Sequence, residues 1–382
     1  MKIGIAGFGG AGMAQFRHFQ SLGCEVGAVF DPKQPGLERA QRVAPSILLT
    51  DDFETFLSSD VDAVSICTPD RTHADYYARS IRAGKDTITE KPLTDSLEGC
   101  SLILDAVREC PDRIAAVQHQ MRFLPVHLAM KAQLDQKRLG TLSYIEGYYI
   151  HNLTQRASLY DPWRFEDNAT PLVYSGCHFV DLLRWLLNDE VVEVSAMANN
   201  LAFPDYPESD MNVLLMRFRS GVVGKVVTAF GFGRPQDHSV KVYGNERCIE
   251  DNLVFARDGS FEIIARPAFP KPRPGLLNLI RYVRQWSRPW LTVKIMEMLL
   301  CSKTLPSEYS VAHYPLRMYE HEFAVRESLR DFVQCVQERR KPVCSVVDAA
   351  RTVATCLAGV EAYRTGQPVK MSSFWLPQFD QL

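Results

Sequence analysis

Three glycines near the start of the chain constrain its fold more than any other feature of the sequence. They have the spacing G-x-G-x-x-G, and the loop that holds them consists of Gly7, Phe8, Gly9, Gly10, Ala11 and Gly12. A strand-like segment precedes the loop and a helix-like segment follows it, and in that setting the spacing has a mechanical meaning. The first glycine allows a tight turn, the second lets another group approach the backbone, and the third lets helix and strand pack closely. The chain is therefore predicted to begin with a βαβ unit of a parallel sheet.

Strand-like and helix-like segments continue to alternate over the first third of the chain. The predicted strands are Ile3–Ala6, Glu25–Phe30, Ala63–Cys67, Thr87–Thr89 and Ile114–Gln118. The predicted helices are Ala11–Leu22, Leu37–Val43, His73–Ala83 and Ser96–Glu109, the last with Asp95 and Glu98 at the spacing of a capping box. Such alternation is typical of a doubly wound parallel sheet with crossover helices. We therefore assign residues 1–122 to a Rossmann domain.

The pattern changes after Arg122. A helical segment, Pro125–Gln136, is followed by alternating apolar and polar runs at Leu142–Ile150, Val191–Ala198, Val213–Phe218, Val222–Phe230 and Ser239–Tyr243. Such runs are typical of an antiparallel sheet with one face open to solvent or to a partner. Residues 123–382 are therefore predicted to form an α+β domain with a large, mostly antiparallel sheet, ending in the helices Glu320–Glu338 and Val347–Arg364. Because such sheets often pair with a copy of themselves, we expect a homodimer or a homotetramer.

An insertion at about residues 266–315 interrupts the second domain. Its prolines predict a loop, and Leu276–Trp286 then combines arginines with apolar residues. One interpretation is a basic amphipathic helix that lies on a membrane surface. The interpretation that we prefer is a surface or interface helix, because any packed helix is amphipathic.

Composition excludes several classes of protein. The formal net charge is −2, and no dense basic cluster with interleaved aromatic residues is present, so nucleic acid is not an expected partner. The ten cysteines form no C-x-x-C pair, which favours reduced thiols without disulfide bonds or structural zinc. The most apolar helical stretch, Trp290 to Leu300, is too short for a membrane span. With no room for an export signal before the glycine loop, we expect a cytoplasmic protein.

The glycine loop indicates a bound dinucleotide. The helix after it offers unpaired N–H groups and the positive end of its dipole to phosphates. Asp31, about 20 residues after Gly12, ends the second predicted strand, where an acid accepts hydrogen bonds from the adenosine ribose. Since a carboxylate there repels a 2′-phosphate, NAD is the expected cofactor. Lys33, two residues further on, keeps NADP as the weaker alternative.

Two further motifs follow the ends of predicted strands, where ligands of open α/β sheets bind. The segment Thr68-Pro69-Asp70-Arg71-Thr72-His73 predicts cofactor contacts by Thr68, Pro69 and His73, or only a turn that leads into a helix. The tripeptide Glu90-Lys91-Pro92 places Glu90 and Lys91 beside the expected nicotinamide. An ammonium group there can hydrogen-bond a substrate hydroxyl and stabilise its alkoxide.

Together with Met121-Arg122-Phe123, and with Gly176-Cys177-His178 followed by Asp181, these motifs resemble the glucose-fructose oxidoreductase, inositol dehydrogenase and rhizopine-catabolism (GFO/IDH/MocA) family. The resemblance implies a Rossmann domain, a sheet domain that mediates dimers or tetramers, and NAD(P)-dependent chemistry on sugars, cyclitols or sugar derivatives. It also implies that Lys91 touches both nicotinamide and the reacting hydroxyl, and that the proline bond after it is often cis. Arg122 is expected near the cofactor, and His178 as the acid/base that exchanges the hydroxyl proton.

One position departs from the family pattern. Where relatives carry an aspartate four residues before the histidine, this chain has Tyr174. If one helix holds Tyr174, His178 and Asp181, their spacing puts them on one face. A phenol brings no charge, so His178 is expected to be a weaker base. We expect a shifted pH profile or proton donation by Tyr174, and regard loss of turnover as less favoured. Asp181 either orients the imidazole or caps and solvates the helix.

Substrate contacts are predicted just upstream of this helix. Trp163 and Arg164 suit a sugar ring, and His151, Arg156 and Tyr160 precede them. A partly buried tryptophan beside a surface arginine is the equally open alternative. We expect an NAD-dependent oxidoreductase whose polyhydroxylated substrate binds at Lys91, Trp163, Arg164 and His178, without a metal. The alternatives are a glycoside hydrolase that retains NAD and a non-catalytic dinucleotide or sugar sensor.

Overall fold

The computed structural model describes residues 1–154, 170–233, 236–265 and 314–381, with the backbone alone for 314–320. The predicted substrate residues Trp163 and Arg164 lie outside these ranges. The predicted insertion lies outside them as well, from residue 266 to residue 313.

Six parallel strands form the N-terminal sheet. They are β1 (Lys2–Ala6), β2 (Glu25–Phe30), β3 (Leu48–Thr50), β4 (Ala63–Ile66), β5 (Asp86–Glu90) and β6 (Ala115–Gln118). Their order in the sheet is β3-β2-β1-β4-β5-β6, which is the strand order of a Rossmann fold. Strands β4 and β6 are buried over their whole lengths, as expected where helices cover both faces of a sheet.

Five helices belong to this half of the molecule: α1 (Gly10–Ser21), α2 (Gln34–Val43), α3 (Phe53–Leu57), α4 (His73–Arg82) and α5 (Leu97–Glu109). Helix α5 begins after Ser96, whose hydroxyl oxygen accepts a hydrogen bond from the Gly99 N–H at 3.1 Å. The predicted capping box at Asp95 and Glu98 is therefore wrong, because the capping residue is the serine one position later.

Ten strands form the second sheet. They are β7 (Leu142–His151), β8 (Val191–Asn199), β9 (Met211–Phe218), β10 (Val223–Ala229), β11 (Gln236–Asp237), β12 (Val240–Gly244), β13 (Arg247–Glu250), β14 (Leu253–Ala256), β15 (Phe261–Ile263) and β16 (Val369–Lys370). The main path runs β15-β14-β13-β12-β7-β10-β9-β8-β16, and β11 pairs with β7. Every pairing is antiparallel except β7 with β10, which is parallel.

Four further helices complete the described chain: α6 (Pro125–Asp135), α7 (Cys177–Leu187), α8 (Tyr314–Glu338) and α9 (Val346–Thr365). Helix α7 packs on one face of the second sheet, where a Cβ added to Gly147 of β7 would lie 2.4 Å from the Phe179 ring. Since side chains alternate along a strand, Tyr149 and His151 point to the same face as Gly147. The neighbouring Glu146 and Tyr148 point to the opposite face.

The long helix α8 packs against the Rossmann half. Its residues Leu329, Phe332 and Cys335 share a hydrophobic cluster with Ile3 and Phe19. The C-terminal part of the chain thus supplies a layer of the N-terminal core.

The predicted fold class is confirmed: a doubly wound parallel sheet is followed by a large, mostly antiparallel one. The sequence reasoning missed β3, α3 and the hairpin strands β13 to β15, which are three to five residues long and too short for a clear periodicity. The described cysteines are free thiols. None of the described helices is long and apolar enough to cross a membrane.

Candidate active site

Gly7 and Gly12 of the N-terminal loop must be glycines, each for a separate steric reason. Gly7 has a φ of +89°, and a Cβ there would lie 2.7 Å from the carbonyl oxygen of Cys67. A Cβ on Gly12 would lie 2.0 Å from the carbonyl oxygen of Gly7, so helix α1 touches the loop too closely for any side chain. Gly9 and Gly10 face open space instead, and Gly9 caps α1 without a side-chain bond. The loop therefore has the tight turn, the close packing and the open N–H groups that a pyrophosphate requires.

Asp31 lies against this loop at the end of β2. Its Oδ2 accepts a hydrogen bond from the Phe8 N–H at 2.8 Å, and its Oδ1 accepts one from the Lys33 N–H at 2.9 Å. Gly36 leaves the room for this carboxylate, because a Cβ there would lie 2.0 Å from Asp31 Oδ2. Each carboxylate oxygen has a second lone pair, so Asp31 remains able to accept a hydrogen bond from a ribose hydroxyl.

The segment after β4 is tied to the turn after β5 by a buried histidine. His73 has no exposed surface, and its Nε2 and Nδ1 lie 2.8 Å and 2.9 Å from the carbonyl oxygens of Thr68 and Pro92. The Thr68 hydroxyl oxygen accepts from Thr72 at 2.8 Å. This geometry favours a positioning role for His73 over the predicted cofactor contact, because both ring nitrogens already face protein. The Lys91-Pro92 bond is cis, as the resemblance implied.

Glu90 is held by two buried amides. Its Oε1 accepts from Gln15 Nε2 at 2.7 Å and from Gln118 Nε2 at 2.9 Å. Gln15 also donates to Gln118 Oε1 at 2.8 Å and accepts from the Ser65 hydroxyl. This network joins α1, β4, β5 and β6, so it fixes the backbone immediately before Lys91.

Lys91 reaches from the Rossmann half to the helix that carries His178. Its Nζ donates to the Tyr174 carbonyl oxygen at 2.7 Å. His178 is buried, and its ring stacks on Tyr149 with the centroids 5.3 Å apart and the planes 10° from parallel. Burial, and then the charge of Lys91, holds the pKa of His178 well below its ordinary value. His178 is therefore a neutral imidazole at neutral pH.

Tyr174 lies against the second sheet, one helical turn before His178. A π-helical turn, Leu172–Gly176, precedes α7, and its wider turn rotates the side chains relative to an α-helix. The Tyr174 hydroxyl lies 2.7 Å from the Tyr206 hydroxyl, and its ring packs against Phe230 in an apolar cluster. The phenol thus packs on the second sheet, as the His178 ring does through Tyr149.

Asp181 neither orients His178 nor caps a helix. It accepts two hydrogen bonds from Arg122, at 2.8 Å from Nε and 2.7 Å from Nη2, with both side chains buried. Burial alone would raise the pKa of Asp181, but the charge of Arg122 keeps it below its ordinary value. Arg122 also donates to the Val343 carbonyl oxygen at 2.7 Å. This geometry favours a structural role for Arg122 over the predicted cofactor contact.

His119 lies beside this ion pair. Its Nδ1 is 3.6 Å from Asp181 Oδ2, and neither ring nitrogen has a hydrogen-bond partner within the described parts of the chain. His119, Asp181 and Cys344 bring three potential metal ligands within 4.8 Å of one another. Arg122 already supplies the positive charge that Asp181 needs, and a metal ion would be repelled by it. We interpret the group as a buried ion pair.

Comparison with known proteins agrees with this arrangement. Residues 1–119 match an oxidoreductase family with an NAD-binding Rossmann fold, and residues 127–250 match the GFO/IDH/MocA C-terminal domain. The chain belongs to the GFO/IDH/MocA family. The cofactor of this family's Rossmann domain is NAD, and the open space at Gly9 and Gly10 leaves room for its pyrophosphate.

Inositol dehydrogenases are among the proteins to which this chain is similar. Inositol 2-dehydrogenase 2 of Saccharopolyspora erythraea is 30% identical over 229 residues, which cover 58% of this chain and 65% of the relative. That match spans less than two thirds of the relative's length. The scyllo-inositol 2-dehydrogenase (NAD(+)) of Bacillus subtilis is 24% identical over 374 residues, 95% of this chain and 94% of that protein.

A solved structure has the same fold over the whole chain. The scyllo-inositol dehydrogenase from Lactobacillus casei with bound NAD(H) and scyllo-inositol gives a TM-score of 0.75 at 17% identity, covering 97% of this chain and 99% of that one. At this identity the likeness concerns the fold.

Several polar residues of the candidate active site could not be identified from the sequence. They are Gln15, Gln118, His119, His238 and His321. Gln15 could have been found, because a polar residue on the inward face of α1 is unusual. His321 lies on α8, exposed to solvent, and the charges of Glu90 and Lys91 act on it. No pattern near His321 in the sequence connects it with residues more than two hundred positions earlier.

Proposed function

We propose that the protein is an NAD-dependent dehydrogenase that oxidises a hydroxyl group of a sugar, cyclitol or sugar derivative, or reduces the corresponding ketone. The observation that carries this proposal is the contact between Lys91 Nζ and the Tyr174 carbonyl oxygen at 2.7 Å. It places a cation from the Rossmann half one turn from His178, beside the sheet edge where nicotinamide lies in such folds. The inositol dehydrogenases among the relatives support the substrate class.

His178 is suited to accept the hydroxyl proton. Because burial and the charge of Lys91 lower its pKa, the ring is neutral and has a lone pair available at neutral pH. The stacked Tyr149 ring fixes the plane of the imidazole. No carboxylate at position 174 is needed for this step, although the missing charge makes His178 a weaker base.

Lys91 is suited to hold the substrate oxygen. An ammonium group has three donors, and the Tyr174 carbonyl uses one of them. Another can donate to the substrate hydroxyl and stabilise the negative charge that develops as the proton leaves. NAD supplies the hydride acceptor. The bonds from Gln15 and Gln118 to Glu90 hold Lys91 in place for this role.

The proposal is tested with Lys91→Ala and His178→Ala, assayed for NAD⁺ reduction with myo-inositol, scyllo-inositol and related polyols. Each variant should retain dinucleotide binding, measured by quenching of protein fluorescence, because neither residue belongs to the glycine loop. Each should lose at least about 100-fold in kcat/KM, the usual contribution of a positioned acid or base. Arg108→Ala on the exposed side of α5 is the matched control. Full activity of both variants would overturn the assignment.

The same assay separates this function from the two alternatives. A glycoside hydrolase that retains NAD would release sugar from a glycoside without net reduction of the nicotinamide. A sensor would bind NAD and ligand without any turnover, and Tyr174→Asp would then create activity if the site had decayed from an ordinary member.

We further propose that the open face of the second sheet pairs with a second copy of the chain. Met197, Leu215 and Val223 are exposed on adjacent strands of this face. In the neighbouring strand, Glu146 is bound by Lys225, Tyr144 and Tyr148, so its charge is already neutralised. A flat surface with apolar and internally paired polar groups suits a two-fold contact. Leu215→Glu should give a monomer in light scattering, whereas an unchanged mass would contradict the proposal.

A further inference from the structure

A histidine of α8 lies beside the Rossmann side of the candidate active site. His321 is exposed, and among the residues that the structure describes its ring has no hydrogen-bond partner. The charges that act on it are those of Glu322, Glu90, Lys91 and His18. Three of these four groups belong to the Rossmann half, so the imidazole lies near the edge of the first sheet.

Helix α8 is fixed at this place by α1. His18 Nε2 lies 2.9 Å from Glu322 Oε2, and His18 is one turn after Gln15, on the same face of α1. Gln15 Nε2 in turn donates to Glu90 Oε1 at 2.7 Å. The residue immediately before Glu322 is therefore held close to the end of β5, which Lys91 follows.

His321 lies on the cofactor side of Lys91. The groups that act on it come from its own helix, from the end of β5 and from α1, and α1 begins at the glycine loop. The charge of His321 acts on His178 less than that of Lys91 does, and the His178 ring packs on the second sheet through Tyr149. A dinucleotide that extends from the glycine loop along the carboxyl ends of the strands brings its nicotinamide between His321 and Lys91.

The nicotinamide carries a carboxamide group, whose oxygen accepts hydrogen bonds. An imidazole has at least one N–H in either protonation state, so His321 can donate to this oxygen in both. Such a bond fixes the rotation of the nicotinamide ring. Hydride transfer needs this control, because the reacting carbon must face the substrate at close range.

We propose that His321 binds the carboxamide oxygen of the nicotinamide and orients the ring. The proposal rests on the proposed dehydrogenase function, because it describes how the cofactor of that reaction is held. A neutral hydrogen bond contributes about fivefold in affinity. The contribution belongs to the nicotinamide end of the dinucleotide alone, because the glycine loop and Asp31 hold the other end.

The first test compares the binding of NADH and of ADP-ribose, which lacks the nicotinamide, to the full chain by calorimetry. His321→Ala should raise the Kd for NADH about fivefold and leave the Kd for ADP-ribose unchanged. His321→Gln keeps an N–H donor and should retain most of the affinity for NADH. Arg330→Gln is the matched control on the same helix, where Arg330 contacts Glu327, and it should change neither Kd.

The second test changes the cofactor instead of the protein. In thionicotinamide adenine dinucleotide a sulfur replaces the carboxamide oxygen, and sulfur is a weak hydrogen-bond acceptor. The wild type should bind this analogue more weakly than NAD⁺. His321→Ala should bind the two about equally, because the interaction that distinguishes them is absent, as in a double-mutant cycle.

The outcomes separate this proposal from the dehydrogenase function. An unchanged Kd for NADH in His321→Ala, or an equal rise in the Kd values for NADH and ADP-ribose, overturns the carboxamide contact. A higher KM for the polyol with an unchanged Kd for NADH overturns it as well, because His321 would then bind the substrate. Turnover of a polyol leaves the dehydrogenase function standing in each case. If the binding pattern appears and no sugar or inositol is turned over, the carboxamide contact stands and the dehydrogenase function falls.

Discussion

Lowering the pH from 7 to 5 should destabilise the protein through His119. Burial is the main cause that lowers the pKa of this imidazole from 6.5 to about 4, and it outweighs the opposing charge of Asp181. In the unfolded chain the pKa returns to about 6.5. At about 1.4 kcal/mol per pKa unit, the whole interval amounts to about 3 kcal/mol of unfolding free energy, of which about 2 kcal/mol is lost by pH 5.

The sign follows from proton binding in the two states. Between about pH 4 and pH 6.5, the unfolded chain binds a proton at His119 and the native state does not. The free energy of unfolding therefore increases with pH over this range. The contribution is fully present above pH 6.5 and disappears as the pH falls toward the folded pKa. Asp181 does not act in this window, because its folded pKa lies below its ordinary value and its contribution is lost only at lower pH.

The contribution of His119 to the free energy of unfolding can be measured by urea unfolding. The wild type and His119→Gln are compared by fluorescence at pH 7, 6 and 5. The variant removes the titrating group, so between pH 7 and pH 5 it should lose about 2 kcal/mol less than the wild type, whatever its stability at pH 7. His178→Gln should flatten the curve in the same direction, because burial also lowers the pKa of His178. Parallel curves for His119→Gln and the wild type would refute the reasoning.

Three further variants test the packing of the site. Gln15→Leu leaves Glu90 with one amide partner, so the unfolding free energy should fall by about 1–3 kcal/mol and kcat with it; unchanged urea midpoints would contradict the network. Gly36→Ala would place a Cβ 2.0 Å from Asp31 Oδ2, so the Kd for NAD⁺ in a titration should rise about tenfold or more, as one lost charged hydrogen bond implies. Tyr174→Phe removes a hydroxyl contact of 2.7 Å and should cost about 1 kcal/mol with turnover within about twofold of the wild type; a loss near the 100-fold scale of acid catalysis would make Tyr174 the proton donor.

Local sequence patterns predicted much of the fold because the forces behind them are local. The glycine spacing requires a positive φ at Gly7 and contact at Gly12, and few other backbones satisfy both. The order of strand-like and helix-like segments then leaves few topologies for the sheet. Strand β3 and helix α3 were missed because three to five residues carry too little periodicity, and they form where β2 and a packed aromatic cluster support them.

The candidate site shows where local reasoning stopped. The spacing of Tyr174, His178 and Asp181 predicted one shared face, but it could not predict the π-helical turn at Tyr174 or the packing of its phenol against Tyr206 and Phe230. The motif that contains Arg122 predicted a position near the cofactor. Its partner is Asp181, 59 positions away, and no spacing rule connects the two.

By itself the sequence determined the glycine loop, the acid that follows it and the lysine after β5, because each depends on backbone geometry within a few residues of itself. Only the tertiary structure decided the chemistry around His178. His178 is buried by parts of the chain that are far apart in sequence. The contact of Lys91 with the Tyr174 carbonyl oxygen and the histidines of β7 and of the segment after β11 also join distant parts of the chain. The proton affinity of an imidazole depends on the charges and solvent around it, and folding alone brings those neighbours together.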